Sequence, residues 1–389
     1  MNQNRDVAIV GYGETAIQLK GGKSAYEMAA EVLEQILEQT GIAKDEIDGL
    51  AVSEPMSDTA NPFWPAYMAD MLGLSPTWLE SSALGGVSMV GAVARAVAAI
   101  EAGFCTTVLV LASDAQSSVN QSEQGGQRYE FQYPIGLRGP VGAFGLLTQR
   151  YRHLYQLDDR ALAKLAVTQR RHGLLNDNAC TKLKKPLTEA DYLNSKYVSD
   201  PLRMLDSVMV CDGANGVLVT TRANAKRLGL TRAVFPTAYA EVTNYKAFSP
   251  DVEITETGFS QVGPKALAKA GMKASDIRMF HPYDDFLIAI MIQLEQIGFC
   301  GIGEGSRFIL DTDLGFDGTL PLNTGGGQIS AGQPGLAGGG VNLVEAVRQL
   351  FGDAGARQVK DRQNAMVTGI GVIPIGRNWS TSAVLILEQ

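Results

Sequence analysis

Apolar and polar positions follow two distinct rhythms along the chain. "DVAIVGYG" (6–13), "IDGLAVSEP" (47–55) and "TTVLVLASD" (106–114) are short apolar, β-branched runs of the kind that form buried strands. "SAYEMAAEVLEQILEQTG" (24–41) and "SMVGAVARAVAAIEAG" (88–103) carry helical spacing and stop at Gly41 and Gly103. Strand–helix alternation of this kind predicts an α/β layer with parallel strands. The helix that opens at Ser88 has small residues on every face, among them Gly91, Ala92, Ala94, Ala96, Ala98 and Ala99. That predicts burial all round, at the centre of the molecule.

The same pattern occurs twice. "LEQTGIAKDEIDGLAVSEP" (37–55) matches "LAKAGMKASDIRMFHPYDD" (267–285), with Gly41 on Gly271, Ile47 on Ile277 and Leu50 on Phe280. "AVARAVAAIEAG" (92–103) echoes "VNLVEAVRQLFGDAG" (341–355), and "NGVLVTT" (215–221) echoes "SAVLILE" (382–388). Three echoes in one order predict a duplicated β-α-β-α-β-α-β unit. The stretch from Ala115 to Pro201 breaks the rhythm: it is polar early and helical later ("DDRALAKLAVTQRRHGLLN"), as an inserted loop domain would be. The expected division is 1–114 plus 202–230, an insertion over 115–201, and a second half over 231–389.

Composition narrows the class. The 389 residues are 45% hydrophobic and 19% charged, which describes a well-buried globular chain, and a net charge of −8 argues against nucleic acid as the main partner. Cys105, Cys180, Cys211 and Cys300 lie far apart with no metal-ligand spacing, so free thiols and no metal site in this chain are expected. No apolar stretch reaches membrane-spanning length, and the N-terminus carries no signal-like segment; a cytoplasmic location is the expectation.

A duplicated α/β fold brings strand ends and helix N-termini of both halves to the pseudo-twofold axis. The segments due to meet there are "ALGGVS" (83–88), "FHPYDDF" (280–286), "LNTGGGQISAGQPGLAGGG" (322–340) and "VTGIGV" (367–372). Gly85 and Gly86 open a helix and can aim N–H groups at a negative oxygen. Glycine-rich turns serve equally for close backbone packing. Strand alternation through "HPYDD" would put His281, Tyr283 and Asp285 on one face and Asp284 on the other. An unperturbed tyrosine titrates near ~10 and so acts as a proton donor. The alternative is an ordinary half-buried tyrosine, with the aspartates capping the next helix.

These segments resemble the thiolase superfamily, in its sterol-carrier-protein-2-type, lipid-transfer branch, over essentially the whole chain. "HPYDDFLIAIMIQLEQIGFCGIGEG" is similar to that branch's (H/Y)DCF…LE…GFC..GEG segment, and "LPLNTGGGQISAGQPG" to its N(T/P)xGG…S.GHPxG segment. "PLRMLDSVMVCDGANGVLV" is similar to its PL..LD…DGA.A stretch. The resemblance implies the thiolase fold: two β-α-β-α-β-α-β-β halves in a five-layer α-β-α-β-α arrangement with an inserted loop domain.

Carried over residue by residue, the family's catalytic positions are unusual here. The nucleophilic cysteine falls on Leu84, or on Ala83 if the alignment slips by one, the HDCF histidine on Tyr283, the GHPxG histidine on Gln333, and the second cysteine near Thr368; Asn323 keeps its family position. Leucine cannot be acylated, and Ser88 lies a full turn into the helix, better placed as a cap than as a nucleophile. The resemblance therefore implies Tyr283, His281, Gln333 and Asn323 as candidate catalytic residues. Leu84, Gly85, Gly86, Gly332, Gly369 and Gly371 are the candidates for holding the oxyanion or coenzyme A.

The implied activity is carbon–carbon cleavage in an acyl-CoA without a covalent acyl-enzyme. Three forms stay open. The expected one is retro-Claisen thiolysis by free coenzyme A of a bulky β-oxoacyl-CoA, aromatic or not, with 2-benzoylsuccinyl-CoA as the example; the alternatives are retro-aldol cleavage of a β-hydroxyacyl-CoA and a non-catalytic acyl-CoA-binding subunit. The implied partners are a second copy of the chain and a small zinc-finger/OB-fold subunit. The aromatics Tyr129, Phe131, Tyr133, Tyr151 and Tyr155 of the insertion suit either a ring-bearing substrate or a local core.

Overall fold

The structure is a computed structural model that describes residues 6–119, 133–137, 139–249, 251, 253–372 and 379–389. The first half contributes strands β1 (Val7–Glu14), β2 (Gly49–Ser53), β3 (Trp78–Ser82), β4 (Thr107–Asp114) and β5 (Gly213–Thr221), with helices α1 (Ala25–Thr40) and α2 (Ser88–Glu101). The insertion contributes α3 (Gly139–Tyr155) and α4 (Asp159–Leu174). The second half contributes β6 (Phe235–Thr243), β7 (Phe280–His281), β8 (Asn364–Ile370) and β9 (Thr381–Glu388), with helices α5 (Phe259–Ala270), α6 (Leu287–Ile297), α7 (Gly327–Ala331) and α8 (Gly338–Phe351).

The two sheets have one topology. The first runs β1-β5-β4-β2-β3 and the second β6-β9-β8-β7, so each strand of the second has its counterpart in the first. The place of β3 is taken in the second half by a single parallel bridge, Phe280 to Leu322. The repeat extends to the caps. Helices α1 and α5 both end on glycines in the left-handed region, Gly41 at φ 65° and Gly271 at φ 69°. Each is followed by one 3-10 turn, Lys44–Glu46 and Ala274–Asp276.

Alternation along the strands builds five layers. One face of β1, β4 and β5 (Val7, Ile9, Val108, Val110, Val217, Val219) packs on α2 and α8, which also receive Val367, Ala383, Leu385 and Leu387 of the second sheet. The opposite face of the first sheet packs on α1 through Val32, Leu33 and Ile36. The opposite face of the second sheet packs on α5 and α6. Helix α2 thus packs on both sheets, but it is not buried all round as its small residues predict: Ala94, Arg95 and Val97 are half-buried and Ala98 is exposed. Among the described residues no helix is long and apolar enough to cross a membrane.

Helices α3 and α4 join the second half's core. Phe144 stacks on Phe286 with ring centroids 3.9 Å apart, and Tyr151 is buried with its hydroxyl on Glu295. Tyr151 is therefore a core residue; Tyr129 and Phe131 lie outside the described residues. A buried ion network ties α8 to β1: Glu345 meets Arg348 at 2.8 Å and Arg357 at 2.9 Å, and Arg348 reaches Glu14 at 2.5 Å. Burial alone would raise the Glu345 carboxyl, but the two guanidinium groups outweigh it and hold it well below the usual carboxylate range.

Candidate active site

The chain leaves β3 at Ser82, turns through Ala83 and Leu84, and enters α2 by one 3-10 turn over Gly85–Val87. Gly85 sits at φ +61°, and a side chain there would crowd the Val372 nitrogen at 3.2 Å. Ser88 is fully buried; its Oγ accepts the Leu84 N–H at 3.0 Å and donates to the Ser82 carbonyl at 3.2 Å. The Ser88 hydroxyl is thus a cap with both roles filled. Leu84 is half-buried, its N–H taken by Ser88, so it offers no oxyanion donor. The N–H groups of Gly85 and Gly86 make no hydrogen bond among the described residues.

Tyr283 is brought to this mouth and is fixed from three sides. Its N–H donates to Thr368 Oγ1 at 2.8 Å, and its carbonyl accepts from Gln293 Nε2 at 2.8 Å. Thr368 and Gln293 hydrogen-bond each other, which closes the triangle. The ring lies against the Gly86 backbone. Its hydroxyl accepts from Gln333 Nε2 at 3.2 Å, and the same amide donates to Gln328 Oε1 at 3.2 Å. Burial, reinforced by the carboxylates of Asp285 and Asp284, pushes the Tyr283 hydroxyl well above its ordinary range, so it stays protonated.

The two aspartates that follow are unlike each other. Asp284 is fully buried and accepts from Gln169 Nε2 at 2.8 Å, the N–H groups of Gln328 and Ile329 at 3.0 and 3.1 Å, and Asn342 Nδ2 at 3.1 Å. It fastens α7 and α4 to the site. Asp285 is half-buried, and its Oδ1 is out of solvent with no hydrogen-bond partner among the described residues. Burial and the neighbouring Asp284 carboxylate push Asp285 up to about 8.

The remaining candidates divide. Gln333 joins Tyr283. Asn323 is buried behind the site, where its amide donates to Gln169 and to the Pro282 carbonyl at 3.2 and 3.1 Å; it positions the Tyr283 segment without touching the ring. His281 departs from the expected face. Strand β7 ends at His281 because Pro282 has no N–H to continue the ladder, so alternation does not carry through to Asp285. The imidazole is fully buried, with both nitrogens unpartnered among the described residues, and burial pushes it down to about 4. The charged groups that act on it are Glu345 and His172, not the Tyr283 cluster.

Three glycines expected to supply oxyanion donors are packing glycines. The Gly332 N–H is taken by the Gln328 carbonyl at 3.0 Å, and the Gly371 N–H by the Thr381 carbonyl at 2.8 Å. Gly369 pairs with Ala383 in the β8–β9 ladder, and a side chain there would meet the Gly86 carbonyl at 2.8 Å.

A family model described as thiolase C-terminal domain-like matches residues 240–389. The chain is 30% identical over 387 residues to a 17-hydroxy-3-oxo-4-pregnene-20-carboxyl-CoA lyase of Mycobacterium tuberculosis, covering 94% of this chain and 96% of that one. The chain belongs to the thiolase superfamily, in its sterol-carrier-protein-2-type branch. A solved structure titled Ltp2-ChsH2(DUF35) aldolase superposes with a TM-score of 0.84 at 27% identity, over 99% of this chain and 98% of that one. The benzoylsuccinyl-CoA thiolase subunit BbsB of Thauera aromatica is 26% identical over 231 residues, 59% of either chain. At Leu84, where the resemblance sets the nucleophile, the side chain is apolar and half-buried. Thr368, near which the resemblance sets the second cysteine, accepts the Tyr283 N–H and so holds that residue.

Proposed function

We propose that this chain cleaves a carbon–carbon bond in a β-hydroxyacyl-CoA by a retro-aldol reaction, releasing a ketone or aldehyde and a shortened acyl-CoA. The observation that carries the reading is the mouth of α2: Leu84, which cannot be acylated, stands beside the unengaged N–H groups of Gly85 and Gly86 and a protonated Tyr283. Retro-aldol cleavage needs an acid–base group and a place for the enolate oxygen, and no nucleophile. The N–H groups suit the enolate oxygen of the thioester, and the Tyr283 hydroxyl suits proton donation to its carbon.

Thiolysis is the second reading, and the likeness to BbsB supports it. An acyl-enzyme lets one coenzyme A channel serve two molecules in turn. Without one, the acyl-CoA and the attacking coenzyme A have to be bound together, so the single-substrate reaction is favoured here. The lyase and aldolase relatives, matched over nearly the whole chain, lean the same way. The reading includes a small zinc-finger/OB-fold partner subunit, supported by the relative whose name pairs two proteins, and a homodimer through β3, the end strand of the first sheet.

The test is incubation of the protein, alone and with such a partner, with bulky β-hydroxyacyl-CoA esters in the absence of free coenzyme A. A carbonyl product is expected, with Tyr283→Phe reducing turnover by about 10²-fold or more. Products formed only from β-oxoacyl-CoA plus coenzyme A would replace this reading with thiolysis. Turnover of neither would leave a binding subunit.

A further inference from the structure

Resting on the retro-aldol reading, we infer that Asp285 is the base that takes the substrate's β-hydroxyl proton and passes it by way of Tyr283 to the α-carbon. The site holds several groups able in principle to act as the base, and geometry removes all others. His172 uses both nitrogens, Nδ1 toward the Asn323 carbonyl at 3.2 Å and Nε2 accepting the Phe316 N–H at 3.1 Å. His281 is fully buried, and the charged groups that act on it are Glu345 and His172. Asp284 is saturated by four donors, and Glu345 by two arginines. Gln333 cannot take a proton. Tyr283 is a donor and not a base in its buried setting.

Asp285 differs on each count. It follows Tyr283 by two positions and is one of the carboxylates acting on that hydroxyl. It is half-buried where Asp284 is sealed. Its Oδ1 is withdrawn from solvent with no partner among the described residues, an arrangement that is costly unless another group supplies the hydrogen bond. A substrate hydroxyl would supply it. Within its own segment the groups acting on Asp285 are the Asp284 carboxylate and the N–H groups of Phe286 and Asp285 itself, and no cation is among them. The family pattern has cysteine here, so the carboxylate is not a requirement of the scaffold.

The step balances within the chain. The Asp285 carboxylate takes the β-hydroxyl proton, and the O–H electron pair forms the new C=O. The Cα–Cβ pair moves into the thioester enolate, whose oxygen faces Gly85 and Gly86. The Tyr283 hydroxyl gives its proton to Cα and recovers one from Asp285, so no proton is gained or lost.

The test compares wild type, Asp285→Asn and Asp285→Glu in the presence of the partner subunit, on a β-hydroxyacyl-CoA that the wild type cleaves. Asp285→Asn is expected to lose about 10²–10⁴-fold in kcat with little change in KM, and Asp285→Glu to recover part of it. The wild-type kcat profile should show a limb near pH 8 that Asp285→Asn lacks. Infrared difference titration should show a protonated carboxyl band that disappears on the same limb and is missing from Asp285→Asn. An Asp285→Asn protein that is folded by circular dichroism and turns over within threefold of wild type, with the limb unmoved, overturns the assignment. A wild type that cleaves no β-hydroxyacyl-CoA overturns the retro-aldol reading itself, and the assignment with it.

Discussion

The Tyr283 ring lies so close to Gly86 that a methyl group on Gly86 would fall 2.1 Å from the ring's Cε2 and 2.7 Å from its hydroxyl oxygen. Neither partner can retreat. The Gly86 carbonyl is itself enclosed by Gly339 and Gly369, where added side chains would come within 2.4 and 2.8 Å, and Tyr283 is tied at both its N–H and its carbonyl. Gly86→Ala is therefore expected to displace the tyrosine, costing about 1–3 kcal/mol of stability and most of the activity. In a Tyr283→Ala background the same change should cost much less. A double-mutant cycle on urea midpoints reads the coupling, and additive costs would show that the ring is not what Gly86 makes room for.

The mouth of α2 gives a second prediction. Leu84→Cys places a thiol at the position where the superfamily has its nucleophile, at the N-terminus of a 14-residue helix that lowers a thiol's pKa. Rapid alkylation by iodoacetamide at position 84 is expected. The wild type should react slowly, since Cys105, Cys180 and Cys211 are buried and Cys300 is half-buried. Leu84→Cys alone should gain no thiolase activity, because Gln333 cannot exchange protons with it. Mass spectrometry of the labelled peptide checks the first part; labelling no faster than wild type would mean that the mouth is closed to reagents.

Much of this was legible in the sequence because the chain repeats itself. Gly41 and Gly271, the acidic turns after them and the paired strands 215–221 and 382–388 recur in the structure as equivalent features of two like sheets. Leu84, Gly86, Tyr283 and Gln333 come together as the convergence of four segments predicts. What stayed hidden depends on spacing that no local pattern carries. Gln169 reaches Asp284 across 115 positions, Thr368 reaches Tyr283 across 85, and Asn342 reaches Pro282 across 60. Pro282 broke the strand alternation and so separated His281 from Tyr283. Glycines 332, 369 and 371 read like Gly85 and Gly86, since a sequence shows that a side chain is missing but not whether the space or the N–H is used.

The buried carboxylate of Glu345 gives a third prediction. Glu345→Gln keeps the shape but leaves Arg357 with no acidic partner among the described residues and Arg348 with only Glu14. Removing one member of a buried ion group typically costs about 3–5 kcal/mol, since the remaining charges are left desolvated. The denaturant midpoint should fall accordingly with an unchanged m-value. Because Glu345 sits beneath Thr324 and not at Tyr283, the KM of protein that remains folded should change little. A loss of activity without a loss of stability would contradict the structural role.

Acid should erode what the two enclosed histidines contribute to stability. Burial holds both His172 and His281 down to about 4 in the folded chain, whereas in the unfolded chain they titrate near ~6.5. Between those values the unfolded state binds protons that the folded state refuses, so their contribution is complete above about 6.5 and is lost as pH falls toward 4. Each can contribute up to about 3 kcal/mol at 1.36 kcal/mol per unit. Asp206 and Asp285 act with the opposite sign, because burial raises them to about 6 and about 8 and their contributions fade as pH rises toward those values. The wild-type curve alone therefore mixes the two, and a difference isolates the histidine. The stability of wild type minus that of His281→Leu should grow from pH 4 to 6.5 and then stay level, read from urea midpoints at pH steps across that range. Parallel curves would mean that His281 is protonated in the fold, paired with Glu345 in place of standing neutral beside it.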